Sequence, residues 1–150
     1  MINRDKIPAE LVPILEANLD GETDKYSFPP PVFEAMGGEL IEISMEERFL
    51  TCRFPVDTSY LNPYGTMQGG MIAAAIDNTI GPLSMLVAKP NFTRHLELKY
   101  GKPITPELDY IYVTARFVEQ KKRLLYFEAA VANEQGDKLV TAKATHWVFG

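Results

Sequence analysis

One carboxylate, Asp77, stands in the segment "NPYGTMQGGMIAAAIDNTIG", residues 62–81, among neighbours that are mainly Gly, Ala, Ile and Met. An ionised carboxylate buried among such residues is strongly unfavourable unless another group pairs with it or a reaction uses it. Aspartate is also disfavoured in the middle of a helix. Asp77 is therefore a candidate general base or nucleophile, and the alternative is a carboxylate that only forms a structural hydrogen bond.

The helical phase of this segment separates two faces. Steps of three and four residues from Gly70 select a face of mainly small side chains: Ala73, Ala74, Asp77, Ile80, Gly81 and Ser84. The neighbouring stripe is bulkier and is predicted to pack on a sheet: Ile72, Ala75, Ile76, Thr79, Leu83 and Leu86. Small side chains allow a ligand or another backbone to come close, so we expect Asp77 to face such a partner.

The pair Gly69 and Gly70 begins the predicted helix and exposes backbone N–H groups that have no partner within the helix. Such groups could stabilise an oxyanion that forms during a reaction. Asp77 follows Gly69 by eight residues, or about 12 Å along a helix, so the two cannot act on one carbonyl group. This arithmetic predicts a site shared between two chains whose helices run antiparallel, and two-fold dimers are the commonest oligomers.

Strand-like and helical patterns flank this segment. The stretch "RDKIPAELVPILEANL" predicts an outer helix broken near Pro13, and "YSFPPPVFEAMGG" predicts a linker with a short helical turn. Two strands are predicted in "ELIEISMEERFLTCRFPV", and four more follow Pro90, with a hairpin turn at "EQGD". The connections between strands are too short for parallel crossovers, so the predicted fold is an α+β antiparallel sheet that covers one long helix.

Composition excludes several classes of function. The chain of 150 residues has the length of one domain, and its formal net charge of −5 disfavours nucleic-acid binding. We find no apolar run near the roughly 18 residues of a membrane span and no signal-peptide pattern, so we expect a cytoplasmic protein without a membrane partner. The single cysteine, Cys52, is interpreted as a small strand residue.

The pattern "N-P-x-G-T-x-Q-G-G", with "D-N" seven residues after the second glycine, resembles hotdog-fold acyl-CoA thioesterases of the phenylacetic-acid-degradation type, in the 4-hydroxybenzoyl-CoA thioesterase superfamily. The resemblance covers roughly residues 38–149 and implies an antiparallel sheet wrapped round one helix. It also implies thioester hydrolysis without metal or cofactor, in a homodimer with shared active sites that pairs into a dimer of dimers. We accordingly divide the chain into an N-terminal helical flap and Pro-rich linker, residues 1–37, and a hotdog domain, residues 38–150.

The same resemblance assigns the site residues. Asp77 matches the family's catalytic carboxylate, and Gly69 matches the residue whose N–H polarises the thioester carbonyl. Asn62 matches an Asn near that carbonyl, and Thr93 aligns with a hydroxyl residue that helps to place water. Gly70 is included as a substrate-binding residue.

Gln68 departs from the family pattern, which usually reads His-Gly-Gly. A glutamine side chain cannot carry a proton to a leaving thiolate, but its amide can still form a hydrogen bond to the thioester. We therefore keep Gln68 among the catalytic candidates. A coenzyme A thiolate also leaves more readily than an amine, so loss of a proton donor is less damaging here than in a protease.

The remaining polar residues are ordinary surface or structural candidates. The basic residues Lys99, Lys102 and Arg123 are the candidates for binding coenzyme A phosphates, although such residues are usually only solvated. His95 and His146 lie in alternating strands and are interpreted as structural or surface residues. Two other functions stay open: a non-catalytic acyl-CoA binding protein, supported by Gln68, and an acyl-thioester hydratase or dehydratase, which needs a His that the central helix does not offer.

Overall fold

The sheet of this protein wraps round one long helix, as the computed structural model shows for residues 1–149. The strands are β1 Glu39–Ser44, β2 Phe49–Pro55, β3 Asn91–Tyr100, β4 Tyr110–Lys121, β5 Leu124–Ala132 and β6 Lys138–Val148. The helices are α1 Val12–Asn18, α2 Pro31–Ala35 and α3 Gly69–Val87. The strand order is β1-β2-β4-β5-β6-β3, and every neighbouring pair is antiparallel. The predicted α+β hotdog architecture is confirmed.

Alternating side chains explain why the sheet closes on α3. Along β4 and β5, buried residues alternate with partly exposed ones, and the buried set faces the helix. The predicted hairpin turn at "EQGD" joins β5 to β6, and Gly136 there has a φ of +88°, a conformation that side chains other than glycine rarely adopt. Because of the alternation along the strands, the sheet presents one apolar face to the helix.

Helix α3 packs on the sheet through the predicted stripe, whose six members are all buried. The opposite face is more open at Gly70 and Asp77, whereas Ile80 and Ser84 on that face are buried. The reason lies in β3, which crosses the C-terminal half of the face. The Asn91 amide there lies 3.4 Å from the Ser84 carbonyl oxygen.

The sequence prediction that no segment resembles a membrane span was wrong for α3. This 19-residue helix is long and apolar enough to meet that criterion, although about half of it, 56%, is buried inside the protein. A helix that forms the core of a soluble fold has the same composition, because it is surrounded by apolar side chains instead of lipid.

The N-terminal segment packs on the C-terminal end of α3. Its apolar side chains form a buried cluster with Leu86: Ile2, Leu11, Leu15, Leu19 and Phe28. The predicted break near Pro13 agrees with the change at this point from a 3₁₀ turn, Ala9–Leu11, to the α-helix α1. Pro13 itself lies in the first turn of α1, where its missing N–H has no helical partner to lose. The Asn18 side chain donates a hydrogen bond of 3.0 Å to the Met85 carbonyl oxygen and fixes α1 against α3.

We expect Leu15→Ala to lower the free energy of unfolding by about 2–5 kcal/mol, because Leu15 is fully buried in this cluster. Chemical denaturation followed by circular dichroism measures the change. Ile14→Ala is the matched control, since Ile14 only borders the cluster and should cost clearly less. Equal stability of Leu15→Ala and the wild type would contradict a structural role for the N-terminal segment.

Cys52 lies on β2 with 1% of its surface exposed, in agreement with its interpretation as a small strand residue. Burial raises the pKa of its thiol to about 12, and a hydrogen bond with Thr79 opposes that rise. A thiol with such a pKa is almost wholly protonated near neutral pH, so Cys52 is a poor nucleophile.

Candidate functional site

Asp77 lies on the third turn of α3, where its side chain is partly exposed. The Thr93 hydroxyl on β3 donates a hydrogen bond of 2.8 Å to Asp77 Oδ1. A register shift between Thr93 and His95 interrupts the pairing of β3 with β6 at this point. The small side chains of α3 let the strand come close, so a carboxylate and a hydroxyl 16 residues apart in the chain form one pair.

His146 lies next to Thr93, on the side away from Asp77. The sequence interpretation treated His146 as a structural or surface residue and did not place it in the site. It is buried, with 2% of its surface exposed, and its ring nitrogens lie 3.4 Å from Thr93 Oγ1 and 2.8 Å from Asn91 Oδ1. The alternation Ala142, Ala144, His146 was the available signal, because it predicts that all three face the helix. Burial lowers the pKa of His146, while the charge of Asp77 acts in the opposite direction.

Gln68 is the N-cap of α3. Its side-chain oxygen accepts a hydrogen bond of 3.0 Å from the Met71 backbone N–H, which satisfies one of the free donors of the first turn. A Cβ on Gly70 would lie 2.8 Å from that oxygen, so glycine leaves room for the cap. The Gln68 amide nitrogen is not used in the cap, and the side chain as a whole is exposed.

The first two N–H groups of α3 belong to Gly69 and Gly70. Across residues 1–149 neither donates a hydrogen bond to a protein acceptor. They therefore form, with the positive end of the helix dipole, a place that suits an anionic or polarised oxygen.

Tyr100, at the end of β3, is a neighbour of Gly69 that the sequence interpretation missed. Its hydroxyl donates a hydrogen bond of 2.7 Å to the Gly69 carbonyl oxygen, and half of the side chain is exposed. A Cβ on Gly69 would lie 3.3 Å from the Tyr100 ring, which is tighter than most real contacts. The absence of a side chain on Gly69 therefore permits this close approach.

Asn62 organises the loop that precedes α3. Its Oδ1 accepts from the Tyr64 and Thr66 backbone N–H groups at 2.9 and 3.1 Å, and its Nδ2 donates to Thr66 Oγ1 at 2.8 Å. One N–H of the amide is left to donate elsewhere, since a primary amide carries two. A role for Asn62 beside a thioester carbonyl stays a prediction.

The three basic candidates do not meet within one chain. Lys99 and Lys102 are exposed at the end of β3 near Tyr100, whereas Arg123 lies in the β4–β5 turn, where its guanidinium stacks 5.5 Å from the Trp147 ring centre. The Val148 backbone N–H donates a hydrogen bond of 2.8 Å to the Arg123 carbonyl oxygen. Val148 pairs with Asn91, the first residue of β3, so Arg123 lies at the opposite end of β3 from the two lysines. The two lysines and Arg123 are therefore about 30 Å apart, the length of the ten-residue strand β3.

Gly69 and Asp77 are also separated. They occupy the first and ninth positions of α3, so the free N–H groups and the carboxylate are about 12 Å apart along the axis. One chain therefore holds two incomplete halves of the predicted site.

An apolar cavity of about 600 Å³ lies elsewhere, between the N-terminal segment, β1, β2 and α3. Its α3 walls are Pro82 and Leu86, which point about 140° and 180° away from Asp77 round the helix. The cavity is thus on the far side of α3 from the carboxylate. Within residues 1–149, no group of three or more His, Cys, Asp or Glu side chains is placed so that it could hold a metal ion.

Comparisons with known proteins show a family and relatives that this chain resembles. The family model described as "Thioesterase superfamily" matches residues 64–140, about half of the chain. Human acyl-coenzyme A thioesterase 13 is 26% identical over 111 residues, which are 72% of this chain and 78% of that protein.

Two solved structures share the fold. A phenylacetic acid degradation-related protein from Ralstonia eutropha has a TM-score of 0.73 and 24% identity, over 79% of this chain and 90% of that one. A hypothetical thioesterase from Streptococcus pneumoniae, crystallised with coenzyme A, has a TM-score of 0.68 and 21% identity, over 75% of this chain and 86% of that one.

Proposed function

We propose that this chain, which belongs to the thioesterase superfamily, hydrolyses the thioester of an acyl-CoA to the free acid and coenzyme A. The observation that carries the proposal is the carboxylate of Asp77 on the small-residue face of α3, held by the Thr93 hydroxyl at 2.8 Å. The relationship to acyl-coenzyme A thioesterase 13 supports acyl-CoA as the substrate class.

The chemistry uses the carboxylate in one of two ways. Asp77 takes a proton from water as the water oxygen attacks the thioester carbon, or Asp77 itself attacks and forms an anhydride that water then opens. In both cases the C–S bond breaks and coenzyme A leaves as the thiolate. The developing negative charge on the carbonyl oxygen needs donors within about 3 Å, and the N–H groups of Gly69 and Gly70 are suited to supply them.

The complete site is proposed to need two copies of the chain. The 12 Å between Gly69 and Asp77 is about four times a hydrogen-bond distance, so the two must come from different helices. Antiparallel packing of two α3 helices about a two-fold axis brings the Asp77 of one copy to the Gly69 of the other.

The sheet and the basic residues fit the same arrangement. β3 is an edge strand, and such an edge offers unpaired backbone groups to a second copy. The two-fold axis would also bring Arg123 of one copy towards Lys99 and Lys102 of the other, which assembles a basic group for coenzyme A phosphates. A dimer of such dimers is the further assembly that we infer from the family resemblance.

Gln68→His is expected to retain or raise kcat/KM, because the imidazole can donate a proton to the leaving thiolate. Gln68→Ala is expected to lower kcat/KM, because it removes both the amide donor and the N-cap of α3. Steady-state thiol release measures both changes. Gln68→Ser is the matched control, since serine can cap the helix without reaching a thioester. A Gln68→Ala variant with wild-type kcat/KM would exclude Gln68 from the reaction.

The proposed function is tested by release of free thiol from a panel of acyl-CoAs that covers short, long and aromatic acyl groups. Hydrolysis of at least one member with a kcat above the uncatalysed rate supports the proposal. Binding of the panel without thiol release would instead support the non-catalytic alternative, in which Gln68 replaces a needed proton donor.

A hydratase or dehydratase is less well supported. It needs a His and an acid that converge on the acyl chain, and His146 does approach Asp77 from the sheet. However, both ring nitrogens of His146 face protein groups, and only 2% of its surface is exposed. Loss of the conjugated absorbance of an enoyl-CoA, without thiol release, would support this alternative.

A further inference from the structure

His146 is the titratable group of the site that the proposed reaction does not use. Its ring packs 5.0 Å from the Phe127 ring centre, beneath the contact between Thr93 and Asp77. Buried polar atoms nearly always have hydrogen-bond partners, and both ring nitrogens of His146 face such a partner. The arrangement of those partners determines what His146 can do.

Asn91 fixes the tautomer of the ring. The Asn91 amide nitrogen lies 2.9 Å from the Lys89 carbonyl oxygen and 3.4 Å from that of Ser84, and these oxygens only accept. Asn91 Oδ1 therefore faces the ring, 2.8 Å from His146 Nδ1, and it also only accepts. The proton of the neutral ring is thus assigned to Nδ1, and Nε2 is an acceptor that faces Thr93.

The Thr93 hydroxyl has one proton and two acceptors. Asp77 Oδ1 lies at 2.8 Å and His146 Nε2 at 3.4 Å, so the hydroxyl donates to the ionised carboxylate in the resting state. As the reaction consumes the charge of Asp77, the carboxyl group becomes a weaker acceptor. The Thr93 O–H bond can then rotate so that its proton points towards Nε2, and the proton stays bonded to Oγ1.

We propose that His146 is a positioning residue for thioester hydrolysis, in which its neutral Nε2 provides the second acceptor for the Thr93 hydroxyl while the carboxylate of Asp77 reacts. The inference rests on the proposed function. In the reaction the water O–H bond breaks and its proton goes to Asp77, while the water oxygen bonds to the thioester carbon and the C=O π electrons move to the carbonyl oxygen. Return of those electrons breaks the C–S bond and releases coenzyme A as the thiolate. His146 neither gains nor loses a proton, because the Thr93 proton stays on Oγ1. If Asp77 attacks directly, the charge is consumed in the same way and the hydroxyl needs the same second acceptor.

The charges around His146 give this role a pH dependence. The ring is surrounded by Thr93 and Asn91 on β3, Phe127 on β5 and Asp77 on α3, of which Asp77 is the charged one. Burial lowers the pKa of His146 and Asp77 raises it less, so the ring is neutral near pH 7. Arg94 and Arg123 stack on Trp147, the next residue of β6, whose side chain points to the other face of the sheet.

Protonation of the ring removes the proposed acceptor. Below the pKa of His146, Nε2 becomes a donor to Thr93, and the hydroxyl stays directed at Asp77. A hydrogen bond to a carboxylate stabilises its charged form and makes it a weaker base. The value of kcat is therefore expected to fall as the pH decreases through the pKa of His146, below the ordinary range of histidine.

Two substitutions separate positioning from packing. His146→Phe fills the space but offers no acceptor, and we expect kcat to fall about 10-fold with KM nearly unchanged, the effect of one lost hydrogen bond. His146→Gln offers an oxygen to Thr93 and an N–H to Asn91, so it should restore most of kcat while the acid decrease moves to lower pH. His95→Phe, an exposed histidine on the other face of the sheet, is the control with unchanged kinetics.

A measurement that needs no turnover keeps the inference testable if a variant misfolds. Long-range proton–nitrogen NMR spectra of the wild type should show the Nδ1–H tautomer for His146 at pH 7, with exposed His95 as the internal reference. In Asp77→Asn the pKa of His146 should fall further, because the charge that raises it is gone.

The outcomes are distinct. An Nε2–H tautomer, a folded His146→Phe with wild-type kcat, or equal losses in the Phe and Gln variants would each overturn the role of His146. Absence of thiol release by the wild type would overturn the proposed function, and with it this role, whatever the tautomer. The Nδ1–H tautomer together with a loss in Phe that Gln restores supports the inference.

Discussion

Asp77→Asn is expected to lower kcat for acyl-CoA hydrolysis by at least about 100-fold, the scale of a lost general base. The asparagine side chain has nearly the same shape, and its Oδ1 can still accept the hydrogen bond from Thr93. The variant therefore removes the charge and the basic oxygen without opening a cavity. Steady-state thiol release measures the loss, and circular dichroism with a thermal melt verifies that the protein is folded.

The matched control for this change is Asp24→Asn, because Asp24 is exposed on the N-terminal segment, away from α3. It should leave kcat and KM within about twofold of the wild type, as surface substitutions usually do. A kcat for Asp77→Asn close to that of Asp24→Asn would remove Asp77 from the mechanism, whether as base or as nucleophile.

Two inactive variants, Asp77→Asn and Gly69→Pro, are expected to restore thioester hydrolysis when they are combined in one dimer. Gly69 is the first residue of α3, where proline is usually tolerated and where it removes the N–H. Gln68, which precedes it, has φ −62° and ψ 137°, a conformation that is compatible with a following proline. A Cβ at this position would lie 3.3 Å from the Tyr100 ring, so Tyr100 must move by a few tenths of an ångström.

The size of the recovery follows from the geometry of a shared site. Random mixing makes about half of the dimers mixed, and each mixed dimer carries one intact site of two, so about one quarter of the wild-type activity should return. Co-refolding or co-expression, followed by thiol release, measures this recovery. Persistent inactivity in a verified mixed dimer, with both variants folded, would mean that each chain holds a complete site.

A chain that carries both substitutions is the matched control. In a shared site, a dimer of this chain with the wild type has no intact site, so only wild-type dimers act, and an equal mixture should show about one quarter of the full activity. If each chain held a complete site, the same mixture would show about one half. The activity of this mixture therefore differs twofold between a shared site and a complete site in each chain.

Much of the candidate site could be predicted because its signals lie within one helix. The phase of α3 predicted the buried stripe, and the spacing of Gly69 and Asp77 predicted that they do not meet in one chain. These predictions rest on the rise and the turn of a helix, which are the same in every protein. The resemblance added Thr93, whose place beside Asp77 the structure shows.

Other features depended on how elements meet. For His146, the alternation along β6 predicts only the face of the sheet on which the side chain lies. For Tyr100, at the end of β3, the neighbours depend on how that strand crosses α3. Gln68 was weighed for chemistry, and its role as the N-cap of α3 was missed, although the cap is local. The burial of Ser84 likewise depended on β3, which crosses the helix there.

The sequence by itself determined the elements, the α+β antiparallel architecture and the helical face that carries Asp77, because periodicity and turn residues act over a few neighbouring positions. Only the tertiary structure decided that Asp77, Thr93 and His146 form one line of contacts. These residues come from α3, β3 and β6, and Thr93 is separated by 16 residues from Asp77 and by 53 from His146. Contacts over such separations depend on strand register, the register shift at Thr93 and the packing of the sheet on the helix, and no local pattern encodes these.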